Sequence, residues 1–165
     1  MKTSTHIGLI ALFILLISCG QSKHRLKMVD SDIVVSRHGI MSYGFQPQPG
    51  KKVVTFYALG NFIAEMQYTP TGKIDRIIRS YPNWRFVFYV DGSLDDTTSV
   101  RKALDKYNCN YEVVLDYNKR FREENALGKL TSIGYICNGN DEVLSLAIVG
   151  TNRSFFDEEF RKYNR

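Results

Sequence analysis

Two uninterrupted runs of β-branched and aromatic residues constrain the fold of this chain more than any other feature. "VVTFYA" (residues 53–58) and "RFVFYVD" (residues 85–91) show no alternation of polar and apolar residues. Such runs are typical of strands buried on both faces, as in parallel sheets whose strands are joined by helices. The stretch between them, at about residues 61–80, has apolar residues at helical spacing, with breaks at Pro70 and Gly72. The sequence therefore predicts a strand–helix–strand unit.

The alternation of strand and helix patterns continues to the end of the chain. "DDTTSVRKALDKYN" predicts a helix, "YEVVLD" a short strand, and "KRFREENAL" a short helix with Phe121 and Leu127 turned inward. "TSIGYIC" and "EVLSLAIVG" predict two strands, joined as a β-hairpin by a tight turn at Asn138-Gly139. "SFFDEEFRKY" predicts a final helix, with a capping box formed by Ser154 and Asp157.

The N-terminus has the pattern of an export signal. Lys2 precedes an apolar run at residues 7–17, which is shorter than the roughly 20 residues that a transmembrane helix needs. The run ends in "LISC" (residues 16–19), which resembles the lipobox of bacterial lipoproteins. This resemblance implies a lipoprotein signal peptide at residues 1–18 and an acyl anchor, such as palmitate, on Cys19. The alternative is a plain signal peptide or anchor in which Cys19 is incidental.

The remaining 147 residues have the size of one domain. Residues 19–31 are polar and without hydrophobic period, which predicts a lipidated N-terminus followed by a tether. Residues 32–165 are predicted to form a single domain with its core at residues 51–163. Short extended pieces around "RHG", with a turn at Gly39, are predicted to precede this core.

Charge and histidine content argue against several classes of function. The formal charge is +5, but cations are interspersed with acids, as in "KRFREE", so no basic face for nucleic acid is predicted. Outside the signal the histidines are His24 and His38, and neither H-x-x-x-H nor C-x-x-C spacing occurs. The chain also lacks G-x-S-x-G and a glycine-rich phosphate loop. We therefore predict no metal site, no cofactor and no catalytic residue of these kinds.

Three groups of residues can each be interpreted in two ways. The acids at residues 95–96 and 157–159 could act as acid–base pairs, although acids at such positions more often cap helices. Cys109 and Cys137 could form a disulfide in an oxidising compartment or remain separate buried thiols. Aromatic residues near the first strands could line a ligand surface, although their alternation favours core packing; they are Tyr57, Tyr68, Trp84, Phe88 and Tyr89.

The order of elements resembles the thioredoxin fold. "VVTFYA", "FVFYVDGS", "VVLDYNKRFREEN" and "GYICNGNDEVL" resemble the branch of exported thiol-disulfide proteins related to TlpA and ResA, over about residues 51–163. The resemblance implies an α/β domain of the thioredoxin-like type. This is a three-layer α/β/α sandwich with a central mixed sheet, a C-terminal β-hairpin and a terminal helix.

The same resemblance places the two active-site cysteines of the family on Asn61 and Ala64. An amide and a methyl group cannot carry out thiol-disulfide exchange, and Asn61 is suited to cap the helix instead. The cis-proline of the family falls near Thr131, where this chain has no proline. The loops that form the substrate groove of the family still imply a binding surface, at Leu59, Gly60, Asn61, Phe62, Ala64 and Thr131.

We therefore predict a redox-inactive, thioredoxin-like lipoprotein of the bacterial cell envelope with a binding or scaffolding role. Its expected partners are a membrane, reached through the lipid on Cys19, and an envelope protein or peptide. The absence of an acidic run after Cys19 favours the periplasmic face, by resemblance to lipoproteins in which such runs mark surface export. The alternative is a thiol-disulfide oxidoreductase that uses the non-standard cysteines Cys109 and Cys137.

Overall fold

The computed structural model describes residues 24–31, 33–41, 44–68, 78–109, 111–146 and 153–163, without the side chains of residues 41, 67, 68 and 153–157. Seven strands and four helices lie within these ranges, and residues 78–80 are helical as well. The strands are β1 (Val34–Ser36), β2 (Gly39–Met41), β3 (Lys52–Ala58), β4 (Arg85–Asp91), β5 (Val113–Leu115), β6 (Ser132–Cys137) and β7 (Val143–Leu146). The helices are α1 (Leu59–Tyr68), α2 (Thr97–Lys106), α3 (Arg120–Glu124) and α4 (Arg153–Tyr163), and a 3-10 turn at Leu94–Asp96 precedes α2.

The strands form one mixed sheet in the order β2-β1-β5-β4-β3-β6-β7. The three central strands β5, β4 and β3 are parallel, and β6, β7 and the β1–β2 pair are antiparallel to their neighbours. Because β3, β4 and β5 run the same way, their last residues, Ala58, Asp91 and Leu115, lie at one edge of the sheet, here called the carboxyl edge. The opposite edge, with the first residues Lys52 and Arg85, is called the amino edge.

Both faces of the sheet are covered, as the uninterrupted apolar runs predict. Phe62 of α1, Leu104 of α2 and Phe160 of α4 belong to the core on one face. Phe121 of α3 belongs to the core on the other face. The predicted three-layer α/β/α sandwich is therefore confirmed. Among the described residues, one outer layer is formed by a five-residue helix and an extended segment.

That extended segment consists of residues 24–31, which the sequence assigned to a tether. Leu26 and Val29 are at most 4% exposed and belong to the core beside α3. The Tyr89 hydroxyl donates a hydrogen bond to the Val29 carbonyl oxygen at 2.6 Å and accepts one from its N–H at 3.2 Å. These contacts correct the predicted domain boundary: residues 24–31, here called the N-terminal strap, are part of the domain.

Two turns differ in detail from their predicted form. The first hairpin turns at residues 37–38, and Gly39 already opens β2. In the β6–β7 hairpin the N–H of Asp141 donates to the Asn138 carbonyl oxygen, and Asp141 has a φ of 64°. The hairpin is therefore confirmed, but its turn centres on residues 139–140, followed by a left-handed residue, rather than on Asn138-Gly139.

Helix beginnings were predicted less well than strands. α1 begins at Leu59, two residues before Asn61, so Asn61 is not its cap. α4 begins at Arg153, one residue before the Ser154 predicted to cap it, and the side chains of Ser154 and Asp157 lie outside the description. Within the described ranges no helix is both long enough and apolar enough to cross a membrane.

Candidate functional site

The two loops of the predicted binding surface meet at the carboxyl edge of the sheet. α1 begins directly after β3, and the loop before β6 lies beside this junction because β6 is antiparallel to β3. The Ala58 N–H donates to the Thr131 carbonyl oxygen at 2.8 Å, and the Asn61 side-chain amide donates to the Thr131 hydroxyl at 3.2 Å. Asn61 therefore connects the two loops.

Five of the six residues predicted for this surface reach solvent. Gly60, Asn61 and Thr131 are exposed, and Leu59 and Ala64 are partly buried. Leu130 lies next to Thr131 in the second of the two predicted loops, residues 129–132, and is 44% exposed. Its side chain adds apolar area to this surface, although singly exposed hydrophobic residues are common on folded proteins.

Phe62 is the exception, because it is fully buried and cannot belong to a surface. Phe62 and Met66 are four residues apart on α1, so both side chains lie on the same face of the helix, which packs against the sheet. The Phe62 ring contacts that of Tyr57, with centroids 6.2 Å apart. Its assignment to the binding surface is therefore corrected to a core role.

The first turn of α1 holds no group capable of redox chemistry. The helix has no acidic residue there, and the two family thiol positions carry the Asn61 amide and the Ala64 methyl. Burial raises the pKa of the nearby Tyr57 hydroxyl well above its ordinary value, and the charge of Glu65 adds to the rise. The exposed groups here include the Asn61 amide and the Thr131 hydroxyl, which are neutral and hydrogen-bonded to each other.

The remaining cysteines lie on opposite faces of the sheet. Cys109 belongs to the core with α1 and α2, whereas Cys137 belongs to the core with α3. Both are buried, and the disulfide between them that the sequence left open does not form. Burial, followed by the charge of Asp141, raises the pKa of the Cys137 thiol to about 12. At neutral pH this thiol stays protonated, and a protonated thiol is a poor nucleophile.

A polar cluster at the carboxyl edge was not predicted from the sequence. Arg122 pairs with Asp91 at 2.6 Å, donates to the Gly128 carbonyl oxygen, and lies 4.8 Å above the Phe56 ring. The Asp116 carboxylate accepts the N–H groups of Phe121 and Arg122 at 3.0 and 3.1 Å, which caps α3. Burial raises the pKa of Asp116, although these hydrogen bonds oppose the rise.

Two of the acids considered as acid–base pairs, Asp96 and Glu159, have structural partners. The Asp96 carboxylate accepts hydrogen bonds from both the backbone and the hydroxyl of Ser93, which favours the capping interpretation. Glu159 accepts from Ser145 and pairs with Lys162. In the described ranges, no three His, Cys, Asp or Glu side chains converge as metal ligands.

Most of the aromatic side chains near the first strands are core residues. Tyr57, Trp84, Phe88 and Tyr89 are at most 5% exposed. Tyr89 stacks on Phe121 with centroids 3.9 Å apart. The core interpretation is therefore confirmed for these four, and the side chain of Tyr68 lies outside the description.

Comparison with solved structures identifies the class of fold. The chain resembles a thiol-disulfide oxidoreductase from Bacteroides fragilis, with a TM-score of 0.56 and 10% identity over 85% of this chain and 99% of that one. It resembles MTB DsbF with a TM-score of 0.58 and 12% identity over 81% and 93%. A third match is a secreted Mycobacterium tuberculosis disulfide oxidoreductase homologous to Escherichia coli DsbE, with a TM-score of 0.50 and 12% identity over 73% and 84%.

These matches, together with the sheet order, show that the chain has a thioredoxin-like fold. No protein-family model matches the sequence, and no curated protein sequence matches it either. The predicted fold class is confirmed. At identities of 9% to 16% the likeness is one of fold, so function has to be argued from the residues of the site.

Proposed function

We propose that this chain is a redox-inactive, thioredoxin-like lipoprotein of the bacterial envelope that binds a protein or peptide at the carboxyl edge of its sheet. The observation that supports this proposal best is the composition of the junction between β3 and α1. Asn61 and Ala64 occupy the positions where the family resemblance places thiols, and the Asn61 amide is hydrogen-bonded to Thr131. The scaffold of a thiol-disulfide protein is thus retained while its reactive groups are replaced.

The distribution of the remaining thiols also supports a binding role. Thiol-disulfide exchange needs an accessible thiolate and usually a second thiol close enough to resolve the mixed disulfide. Cys109 and Cys137 are buried in separate cores on opposite faces of the sheet, so neither can resolve a disulfide formed by the other. This arrangement argues against the alternative oxidoreductase function.

The envelope location rests on the export signal and on the lipobox resemblance at Cys19, which lies outside the described residues. One structural neighbour is itself named as a secreted protein. An acyl chain contributes membrane affinity of about 0.8 kcal/mol per buried methylene, so more than one chain would hold the domain at the membrane. The proposal places the domain on the periplasmic face.

Insulin reduction combined with thiol alkylation tests the redox part of the proposal. We expect the protein to leave insulin unreduced, and Cys109 and Cys137 to be alkylated slowly until the protein is unfolded. The matched positive control is the double variant Asn61→Cys/Ala64→Cys, which restores thiols at both family positions. Its two cysteines should oxidise to a disulfide, which mass mapping detects.

Two results would contradict the proposal. Reduction of insulin by the wild-type protein would show that it is an enzyme with relocated thiols. Failure of the two introduced cysteines to pair would show that Asn61 and Ala64 do not occupy the family's thiol positions, and the argument from their replacement would then fail.

A further inference from the structure

The N-terminal strap enters the domain at the amino edge of the sheet. The Val143 N–H donates to the His24 carbonyl oxygen at 2.8 Å, and the Leu26 N–H donates to that of Asp141 at 2.8 Å. The Arg25 side chain donates to the Asn140 carbonyl oxygen at 2.7 Å. His24 therefore lies beside the β6–β7 turn at residues 138–142, which is next to the first residues of β3 because Lys52 pairs with Cys137.

Several contacts hold the strap in place after this entry point. The Asn125 side chain accepts the Lys27 N–H and donates to the Lys27 carbonyl oxygen, both at 2.8 Å. Leu26 and Val29 are buried, and the Tyr89 hydroxyl bonds both backbone groups of Val29. The position of His24 is therefore fixed relative to the sheet, and it sets where any N-terminal anchor attaches.

The distance that an anchor can span from this point is short. Cys19 and His24 are five residues apart, and a fully extended chain covers at most about 3.6 Å per residue, or about 18 Å in all. The carboxyl edge is farther from His24 by the length of β3, whose seven residues rise about 20 Å. A lipid on Cys19 therefore lies within reach of the amino edge and far from Asn61 and Thr131.

We propose that the amino edge of the sheet, at the β6–β7 turn, faces the lipid headgroups of the membrane, and that the surface around Asn61 and Thr131 faces the aqueous phase. This inference rests on the lipid anchor of the proposed function. Arg25, Lys51 and Arg85 are exposed at the amino edge, but the acids Glu112 and Glu142 lie there too. The reach of the chain, rather than charge, determines this orientation. A partner of the carboxyl edge then has to approach from the side away from the membrane.

Energy transfer from the domain to the membrane tests the orientation. The full lipidated protein is bound to phosphatidylcholine vesicles that carry an acceptor dye on a fraction of their headgroups. A donor dye is attached through Asn140→Cys at the β6–β7 turn or through Lys129→Cys in the loop before Thr131. Both positions are exposed, so the dye reacts there and not with Cys109 and Cys137, which are buried. We expect clearly greater transfer from position 140. Equal transfer, or greater transfer from position 129, would overturn the proposal.

A longer connection provides the matched control. An insertion of about 12 Gly and Ser residues between Gly20 and Gln21 adds an r.m.s. reach of about 20 Å and leaves the folded domain unchanged. We expect the protein to stay on the vesicles while the difference between the two positions shrinks. If the difference in energy transfer between the two positions stays the same, the length of the N-terminal connection does not determine the orientation.

Vesicle flotation separates failure of the anchor from failure of the orientation. The wild-type protein should float with the vesicles, and Cys19→Ser should not. If Cys19→Ser floats as well, or if the wild type does not float, the anchor is wrong and the orientation falls with it. If only the wild type floats but energy transfer is equal from the two donor positions, the lipid anchor on Cys19 is supported and the proposed orientation alone is wrong.

Discussion

At the scale of single residues, the buried thiol of Cys137 makes the stability of the domain depend on pH. Its pKa rises from an ordinary value near 9 to about 12, chiefly through burial. Above pH 9 the unfolded chain loses this proton while the folded chain keeps it, so the contribution of the thiol is complete below pH 9 and is lost between pH 9 and 12. We expect ionisation of this thiol to lower the free energy of unfolding by up to about 1.4 kcal/mol per pH unit between pH 9 and 12.

Urea denaturation of the wild type and of Cys137→Ala, on both sides of pH 9, measures this contribution. The variant should lose stability less steeply with rising pH, whatever its stability at neutral pH. Parallel curves for the two proteins would show that the Cys137 thiol ionises equally easily in the folded and unfolded chains.

Single residues also show where sequence patterns fail. Lys52 directly precedes the apolar run at residues 53–58 and carries a charge, yet it is 1% exposed, paired with Asp141 and bonded to the Gln48 carbonyl oxygen at 2.9 Å. Phe62 was placed on the surface because the family groove passes nearby. The partner of Lys52 lies 89 residues away, which no local pattern reveals. The four-residue spacing of Phe62 and Met66 was a local signal for a buried helix face, but the family resemblance was followed instead.

At the scale of elements, the N-terminal strap depends on the Tyr89 hydroxyl. Tyr89→Phe removes the hydroxyl that bonds both backbone groups of Val29 and leaves those groups without this partner in a buried position. We expect a loss of about 1–3 kcal/mol in the free energy of unfolding, with faster amide exchange in residues 26–31 than elsewhere.

Tyr117→Phe is the matched control for that substitution, because it also removes a tyrosine hydroxyl but at a partly exposed position. Its effect on stability should stay within about 0.5 kcal/mol. If Tyr89→Phe behaves like Tyr117→Phe, or speeds exchange equally throughout the domain, the Tyr89 hydroxyl does not hold the strap.

Elements differed in how well the sequence predicted them, and the reason is the strength of the local signal. β4 was predicted residue for residue and β3 to within one residue, because an uninterrupted apolar run has few alternatives to a buried strand. The strap was missed because its apolar residues, Leu26, Met28 and Val29, are too few to show a period within a polar stretch. The start of α1 was misplaced because Leu59 and Gly60 give no capping signal, whereas Asn61 does.

At the scale of the whole molecule, the strap should be needed for the stability of the domain. Burial of a leucine or valine side chain stabilises a fold by about 1.5–3 kcal/mol, so Leu26 and Val29 together account for about 3–6 kcal/mol. The net stability of a domain is only about 5–15 kcal/mol. We expect a chain that begins at residue 32 to lose much of its stability in urea denaturation compared with a chain that begins at residue 24.

The matched pair of chains differs only by the strap, so the comparison isolates its contribution. Equal stability would show that residues 24–31 rest on the domain without supporting it. In that case the domain would begin at residue 32, as the sequence alone predicted.

The contacts of the strap also limit the order in which parts of the molecule can fold. Arg25 binds the carbonyl oxygen of Asn140, 115 residues later, and Lys27 binds Asn125, 98 residues later. During synthesis from the N-terminus, Ser31 can pair with Phe45 early, but these partners of Arg25 and Lys27 exist only after most of the chain has been made. Contacts this distant in sequence close a large loop and slow folding. The first residues of the strap, 24–26, therefore reach their final contacts only after the C-terminal hairpin has been made.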